Sequence, residues 1–112
     1  MNKMIVLNRL KGKDKISMLF QKGSIHQTEN LLIKVFEADK KEKLYAGVSV
    51  PKKNFNRAVD RNRIKRQLRI ALKTVEKTIP IGGSCMLIFN GRKSPVTHEL
   101  VNELKSHFKN HT

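Results

Sequence analysis

The sequence has no tryptophan, a single tyrosine and a single cysteine. With five phenylalanines as the remaining aromatics, a core has to rest on Leu, Ile and Val. Cys85 has no second cysteine to pair with, so no internal disulfide can form, which fits a reducing compartment. It lies in the apolar run Cys85-Met86-Leu87-Ile88-Phe89, where it reads as a buried structural thiol and not as a nucleophile. Acids are scarce and scattered, nine in all, and none cluster as the metal-holding carboxylates of a protein-borne nuclease would. They read as surface residues. The four histidines have no metal-ligand spacing with Cys85; His107 and His111 alone share an i,i+4 interval. No nucleophile has a base oriented by an acid. Gly82-Gly83 precedes a strand and not a helix, so it is no phosphate cradle. No apolar run approaches the ~20 residues of a membrane span. The run at Met4-Ile5-Val6-Leu7 is too short for the core of a signal peptide. The expected location is the cytoplasm, with no membrane partner.

Against this, basic residues abound. Twenty-four Lys and Arg leave a net charge of +15 on 112 residues. A chain this basic repels itself on folding, and a polyanion that neutralises it in use is the natural partner. Nucleic acid answers that description, with anionic membrane as the rival. The length suits a single domain spanning residues 1–112.

Ile16, Leu19 and Phe20 stand at helical spacing before Gly23, predicting a short helix over residues 13–22 with Gly23 as its C-cap. Leu31–Phe36 and Leu44–Val50 read as strands, and the charged segment 39–43 between them predicts an antiparallel hairpin. A short strand over 25–28 is a further candidate. Pro51 ends the second strand, and Asn54 or Asn56 is a suitable N-cap for a long helix over Arg57–Thr78, closed by Pro80 and Gly82-Gly83. Ser84–Phe89 reads as a buried strand, and Thr97 as the cap of a last helix striped by Leu100, Val101, Leu104 and Phe108. Phe89 and Phe108 belong to the core; Phe20 fits either core or an exposed cleft wall. The order helix, two or three strands, helix, strand, helix predicts an α+β fold with helices packed on a small sheet.

On a wheel of 100° per residue, Ile64, Leu68, Ala71, Leu72 and Val75 share one face of the long helix. Lys65, Arg69, Asn62, Lys73, Arg66 and Lys77 fill the adjoining arc, where Glu76 is the one acid. From Arg57 to Lys77 there are eight bases against two acids, Asp60 and Glu76. A merely solvated face mixes both signs to gain i,i+4 pairs; this one does not. Arg57 and Arg61 lie near the helix N-terminus, where the dipole already favours anions. Guanidinium forks pair with phosphates and stack on bases. Asn62 can donate to and accept from a base edge or a 2′-hydroxyl. If about six of these bases contact phosphates, affinity falls as roughly the fifth power of salt.

These residues carry a resemblance. Ser49-Val50-Pro51-Lys52-Lys53, Arg57-Ala58-Val59 and Arg61-Asn62-Arg63-Ile64-Lys65-Arg66 closely resemble the signature of the bacterial ribonuclease P protein component. Arg9-Leu10-Lys11, Phe20 and Arg92-Lys93-Ser94 extend it over nearly the whole chain. The resemblance implies an α–β sandwich with a left-handed βαβ crossover, unlike the common handedness. It implies a subunit of an endoribonuclease that removes the 5′ leader of precursor tRNA, with the chemistry and its magnesium ions carried by a catalytic RNA. No catalytic side chain, no cofactor held by the protein alone and no obligate protein partner are implied. For the catalytic RNA it implies Lys52, Lys53, Arg57, Arg61, Asn62, Arg63, Lys65, Arg66, Arg69, Arg92 and Lys93. For a cleft holding the single-stranded leader it implies Arg9, Ile16, Phe20, Lys34 and Phe36. Relatives often carry aromatics where Ile16 and Lys34 stand, so this chain would hold leaders more through charge and aliphatic contact than through stacking.

Two other readings of the residues remain. A structural ribosomal or general RNA-binding protein would bind unrelated hairpins with equal affinity. A membrane-active or DNA-binding basic helix would, in its membrane form, hold anionic vesicles against competing RNA.

Overall fold

Leu31–Glu37 alternates fully buried with half-buried residues, as a strand does when one face meets a core and the other is partly covered. The computed structural model describes residues 6–10, 12–37, 43–79 and 82–111. Among these, five strands form one sheet: β1 (Val6–Arg9), β2 (Ser24–Gln27), β3 (Leu31–Glu37), β4 (Lys43–Ser49) and β5 (Gly83–Phe89). Three helices join them: α1 (Lys13–Lys22), α2 (Ala58–Thr74) and α3 (Thr97–His111). The architecture is the mixed α+β arrangement that the element order predicts.

The sheet order is β1-β4-β5-β3-β2. This corrects the predicted hairpin: β3 and β4 do not pair, because β5 lies between them, antiparallel to β3 and parallel to β4. The reason lies in β5 itself. Its apolar run is nearly continuous, buried on the core face and at least half-buried on the other, so it takes the centre, while the more polar β3 and β4 flank it. β4 and β5 are therefore neighbouring parallel strands joined through α2, a βαβ crossover. The candidate strand at 25–28 exists as β2, paired with β3. β1 has no counterpart among the predicted strands; its four residues pair in parallel with β4 and have little periodicity to detect. Of the predicted turn over 39–43, residues 39–42 lie outside the described residues, as does Pro80, and Lys43 opens β4.

One sheet face holds the core. Leu31, Ile33, Leu44, Leu87 and Phe89 pack with Ile64, Leu68 and Leu72 of α2 and with Leu100, Leu104 and Phe108 of α3. The apolar stripes predicted for both helices are buried throughout. Cys85 joins them, and burial pushes its thiol up to about 12, so it stays neutral.

Helix ends depart from expectation in three ways. Arg57 occupies the N-cap of α2 without a side-chain cap, and neither asparagine serves. Thr97 is the first residue of α3 and accepts from Gln67 Nε2 at 3.2 Å, while the helix opens on the Val96 carbonyl. The long helix ends at Thr74 and not Thr78, with a tighter 3₁₀ turn over Glu76–Thr78. There the Val75 N–H is shared between the Ala71 and Lys73 carbonyls, which tightens the chain. Gly23 does close α1, by close approach and not by a left-handed backbone: a Cβ there would collide with the Leu19 carbonyl.

Two acids read as surface residues turn out to tie elements together. Glu103 of α3 accepts from Thr28 Oγ1 at 2.6 Å, the Asn30 N–H at 2.8 Å and Asn30 Nδ2 at 2.9 Å. It thereby fastens the β2–β3 turn to α3. Glu76 accepts from the Leu7 N–H at 3.2 Å and pairs with Lys73 at 3.1 Å, tying β1 to the end of α2. The hydrogen bond from Lys73, then that from Leu7, holds its carboxyl below the usual range.

Candidate nucleic-acid interface

The core face of α2 fixes where its other residues point. With Ile64, Leu68 and Leu72 pinned under the sheet, Asn62, Arg66, Arg69 and Lys73 stand exposed, and Lys65 is half-buried at the margin; Lys77, in the 3₁₀ turn that follows, is exposed too. The helix is rigid and its cations are carried at fixed spacing. Lys73 is engaged by Glu76. Among the described residues no side-chain hydrogen bond or ion pair within the chain is seen for Lys65, Arg66 or Arg69. A cation with no internal partner, on a surface with few acids, keeps its whole electrostatic reach for an external anion.

The remaining predicted cations are sorted by the structure into two further places. Arg63 leans to the opposite flank of α2, where its guanidinium meets Ser94 Oγ at 3.2 Å and Asp60 at 3.6 Å. Gln67, one turn on, donates to the Pro95 carbonyl at 2.9 Å. Together they hold the 91–96 segment against α2 and bring Arg92 and Lys93, both exposed, to the same end of the molecule. Lys53, Asn54, Asn90 and Arg92 line an open, polar pocket of about 580 Å³ there. Lys52 and Arg57 are exposed nearby in sequence.

Arg61 behaves differently. Its Nη1 donates to the Phe55 carbonyl at 2.8 Å and to the Asn56 carbonyl at 2.7 Å. The wheel contains the signal: Arg61 falls about 60° from Ile64, inside the apolar arc, so it is aimed at its own chain.

The other sheet face is partly covered by α1. Lys34 projects there, and its Nζ lies 3.9 Å from the centre of the Phe20 ring, a cation–π contact. Phe20 is 47% exposed, which places it on a wall and not in the core. Ile16 is half-buried one turn before Phe20 on α1. Phe36, half-buried, stands two residues from Lys34 on the same face and lines a shallow pocket with Lys22, Ser24 and His26. So Ile16, Phe20, Lys34 and Phe36 share one face. Arg9 does not join them closely. It lines a pocket of about 450 Å³ with Leu10, Gly47, Met86 and Arg69, so the structure sets it beside a residue expected at the other RNA.

Among the described residues, no group of three or more His, Cys, Asp or Glu is placed to hold a metal ion. No described helix is long and apolar enough to cross a membrane.

Comparison with known proteins bears on the family and the fold. The family model for ribonuclease P matches residues 4–112. A ribonuclease P protein component of Brevibacillus brevis is 31% identical over 100 residues, covering 89% of this chain and 79% of that protein. One from Bacillus cereus is 34% identical over 102 residues, covering 89% and 86%. Among solved structures, the RNase P protein of Thermotoga maritima superposes with a TM-score of 0.78 at 20% identity, over 92% of this chain and 96% of that one. That of Staphylococcus aureus gives 0.74 at 24%, over 91% and 92%. At those identities the structural likeness speaks for the fold.

Proposed function

The chain belongs to the bacterial ribonuclease P protein family, and from that premise we propose that it is the subunit that binds the catalytic RNA and the 5′ leader of precursor tRNA and assists removal of the leader. Membership makes it part of an RNA-processing enzyme acting at tRNA 5′ ends. In the proposed division of labour the RNA makes the cut and holds the magnesium ions, while the protein positions. The cytoplasm is the proposed location.

The observation that carries this reading is the outer face of α2. Lys65, Arg66 and Arg69 are displayed from a helix pinned along its length, with Lys52, Lys53, Arg57, Asn62, Arg63, Arg92 and Lys93 around its N-terminal end. Such an array suits a polyanion such as a folded RNA better than a small anion, since each contact releases counterions and the contacts add. The α1 face is the proposed leader site. A half-exposed ring and an ammonium over a partly apolar floor suit an unpaired strand, whose bases can lie on the ring while its phosphates meet the charge.

Reconstitution with the catalytic RNA and a precursor tRNA tests the proposal, with protein and RNA each omitted in parallel. The protein should raise cleavage at low magnesium and cleave nothing by itself. Cleavage by the protein without the RNA contradicts the proposal, and equal affinity for unrelated RNA hairpins would favour a general RNA-binding protein.

A further inference from the structure

The three members of the Arg61-Asn62-Arg63 run do not share a geometry. Asn62 and Arg63 are exposed, whereas Arg61 is half-buried and commits both protons of Nη1 to the carbonyls of Phe55 and Asn56, at 2.8 and 2.7 Å. Those carbonyls precede the helix, and among the described residues no backbone N–H donates to them; Phe55 is half-buried, so its carbonyl in particular requires a partner. The segment they belong to has two further anchors. The Phe55 ring packs against Phe89, 5.9 Å between centroids. Asn54 Nδ2 reaches the Gly91 carbonyl at 3.5 Å, and Gly91 is required there because a Cβ would meet the Phe89 ring at 2.7 Å.

We infer that Arg61 is a positioning residue for the RNA interface: it holds the 52–56 loop in the shape that sets Lys53 and Asn54 in one pocket with Asn90 and Arg92, and acts on the RNA through that loop. The inference rests on the RNA-interface reading above. A free loop has to be ordered when RNA binds, and the entropic cost appears as lost affinity. The clamp removes that cost beforehand. Lysine does not replace it, because its ammonium, although it has three donors, sits one bond closer to the backbone than Nη1 and falls short of the two carbonyls.

Three measurements on the full chain decide the matter: amide hydrogen exchange of the free protein at residues 52–57, affinity for the catalytic RNA across a salt series, and a double-mutant cycle. Arg61→Ala and Arg61→Lys should both speed exchange in the loop by about tenfold. Both should weaken RNA binding by about fivefold while leaving the salt slope of wild type. Arg66→Ala, the phosphate-contact reference, should lower that slope by about one and leave loop exchange unchanged. Combined with Lys53→Ala, Arg61→Ala should cost less than the product of the two single losses, since both act through one loop. Wild-type affinity in Arg61→Lys, unchanged exchange in Arg61→Ala, or strict additivity with Lys53→Ala would each overturn the inference. If no variant changes RNA affinity, Arg66→Ala included, the interface reading falls instead, and exchange in the free protein still decides whether the clamp exists.

Discussion

The outer face of α2 and the α1 face of the sheet are both cationic, and they are built on opposite principles. On α2 the charge is concentrated and of one sign: Lys65, Arg66 and Arg69 have no partner among the described residues. On the α1 face the described cations are sparser and the central one is already engaged, Lys34 resting on the Phe20 ring, with Lys22 at the rim of the pocket beside Phe36. The first surface is stiffened from beneath by Ile64, Leu68 and Leu72. The second is a half-covered sheet face whose edge strand, β2, has four residues. A rigid, one-signed array suits an RNA that is folded before it arrives. A ring with a lysine over it suits a flexible strand, because the ammonium can move to a phosphate as a base takes its place. The difference supports assigning the catalytic RNA to α2 and the leader to the α1 face.

The assignment can be broken most forcefully on α2. Replacing Lys65, Arg66 and Arg69 together by alanine should weaken binding of the catalytic RNA by about 100-fold near physiological salt and lower the salt slope by roughly two to three. Leader affinity, measured on holoenzyme assembled at saturating protein, should hold. Equal losses at both RNAs would erase the distinction between the surfaces.

The α1 side depends on how β2 and β3 are held, which Glu103→Ala probes. It leaves three donors of the β2–β3 turn without their acceptor. The expected loss in denaturant unfolding is about 2 kcal/mol, with leader binding weakened and the α2 surface intact. Phe20→Ala should act more narrowly, weakening leader binding about fivefold with no change in catalytic-RNA affinity or stability. Phe20→Tyr should retain the wild-type value, and a loss there equal to that of alanine would argue against stacking.

The smallest expected effect concerns Glu76, which links the two regions by tying β1 to the end of α2. Its pKa is lowered on folding from an ordinary 4.5, by Lys73 first and the Leu7 N–H second. Its stabilisation is therefore fully present above about pH 4.5 and is lost as pH falls through the lower folded value. Glu76→Gln should flatten the stability–pH curve in that acidic window: the variant should match wild type at the acidic end, where Glu76 is protonated, and be slightly less stable near neutrality, where wild type keeps this contribution.

Much of this contrast is legible in the residues. The i, i+3, i+4 spacing of Ile64, Leu68, Ala71, Leu72 and Val75 locates both the core face of α2 and, by exclusion, its charged face. The continuous apolar run Cys85–Phe89 marks a strand with no solvent face, and that property decides that β5 takes the centre where simple chain order suggests a hairpin. Other features have no local signature. β1 is four residues long and gains its place from pairing with β4. The partners of Glu103 lie 73 and 75 residues away in sequence, so it reads as one more surface acid. Arg61 falls between these cases. Its position inside the apolar arc is visible on a wheel, while the carbonyls it serves become apparent only once the 52–56 loop is folded back.

Site-directed photocrosslinking in the assembled ribonucleoprotein tests the division between the two surfaces most directly. A crosslinker at position 66 should attach to the catalytic RNA, and one at position 20 to the leader of precursor tRNA. Attachment of both to the same RNA, or leader adducts from position 66, would contradict it.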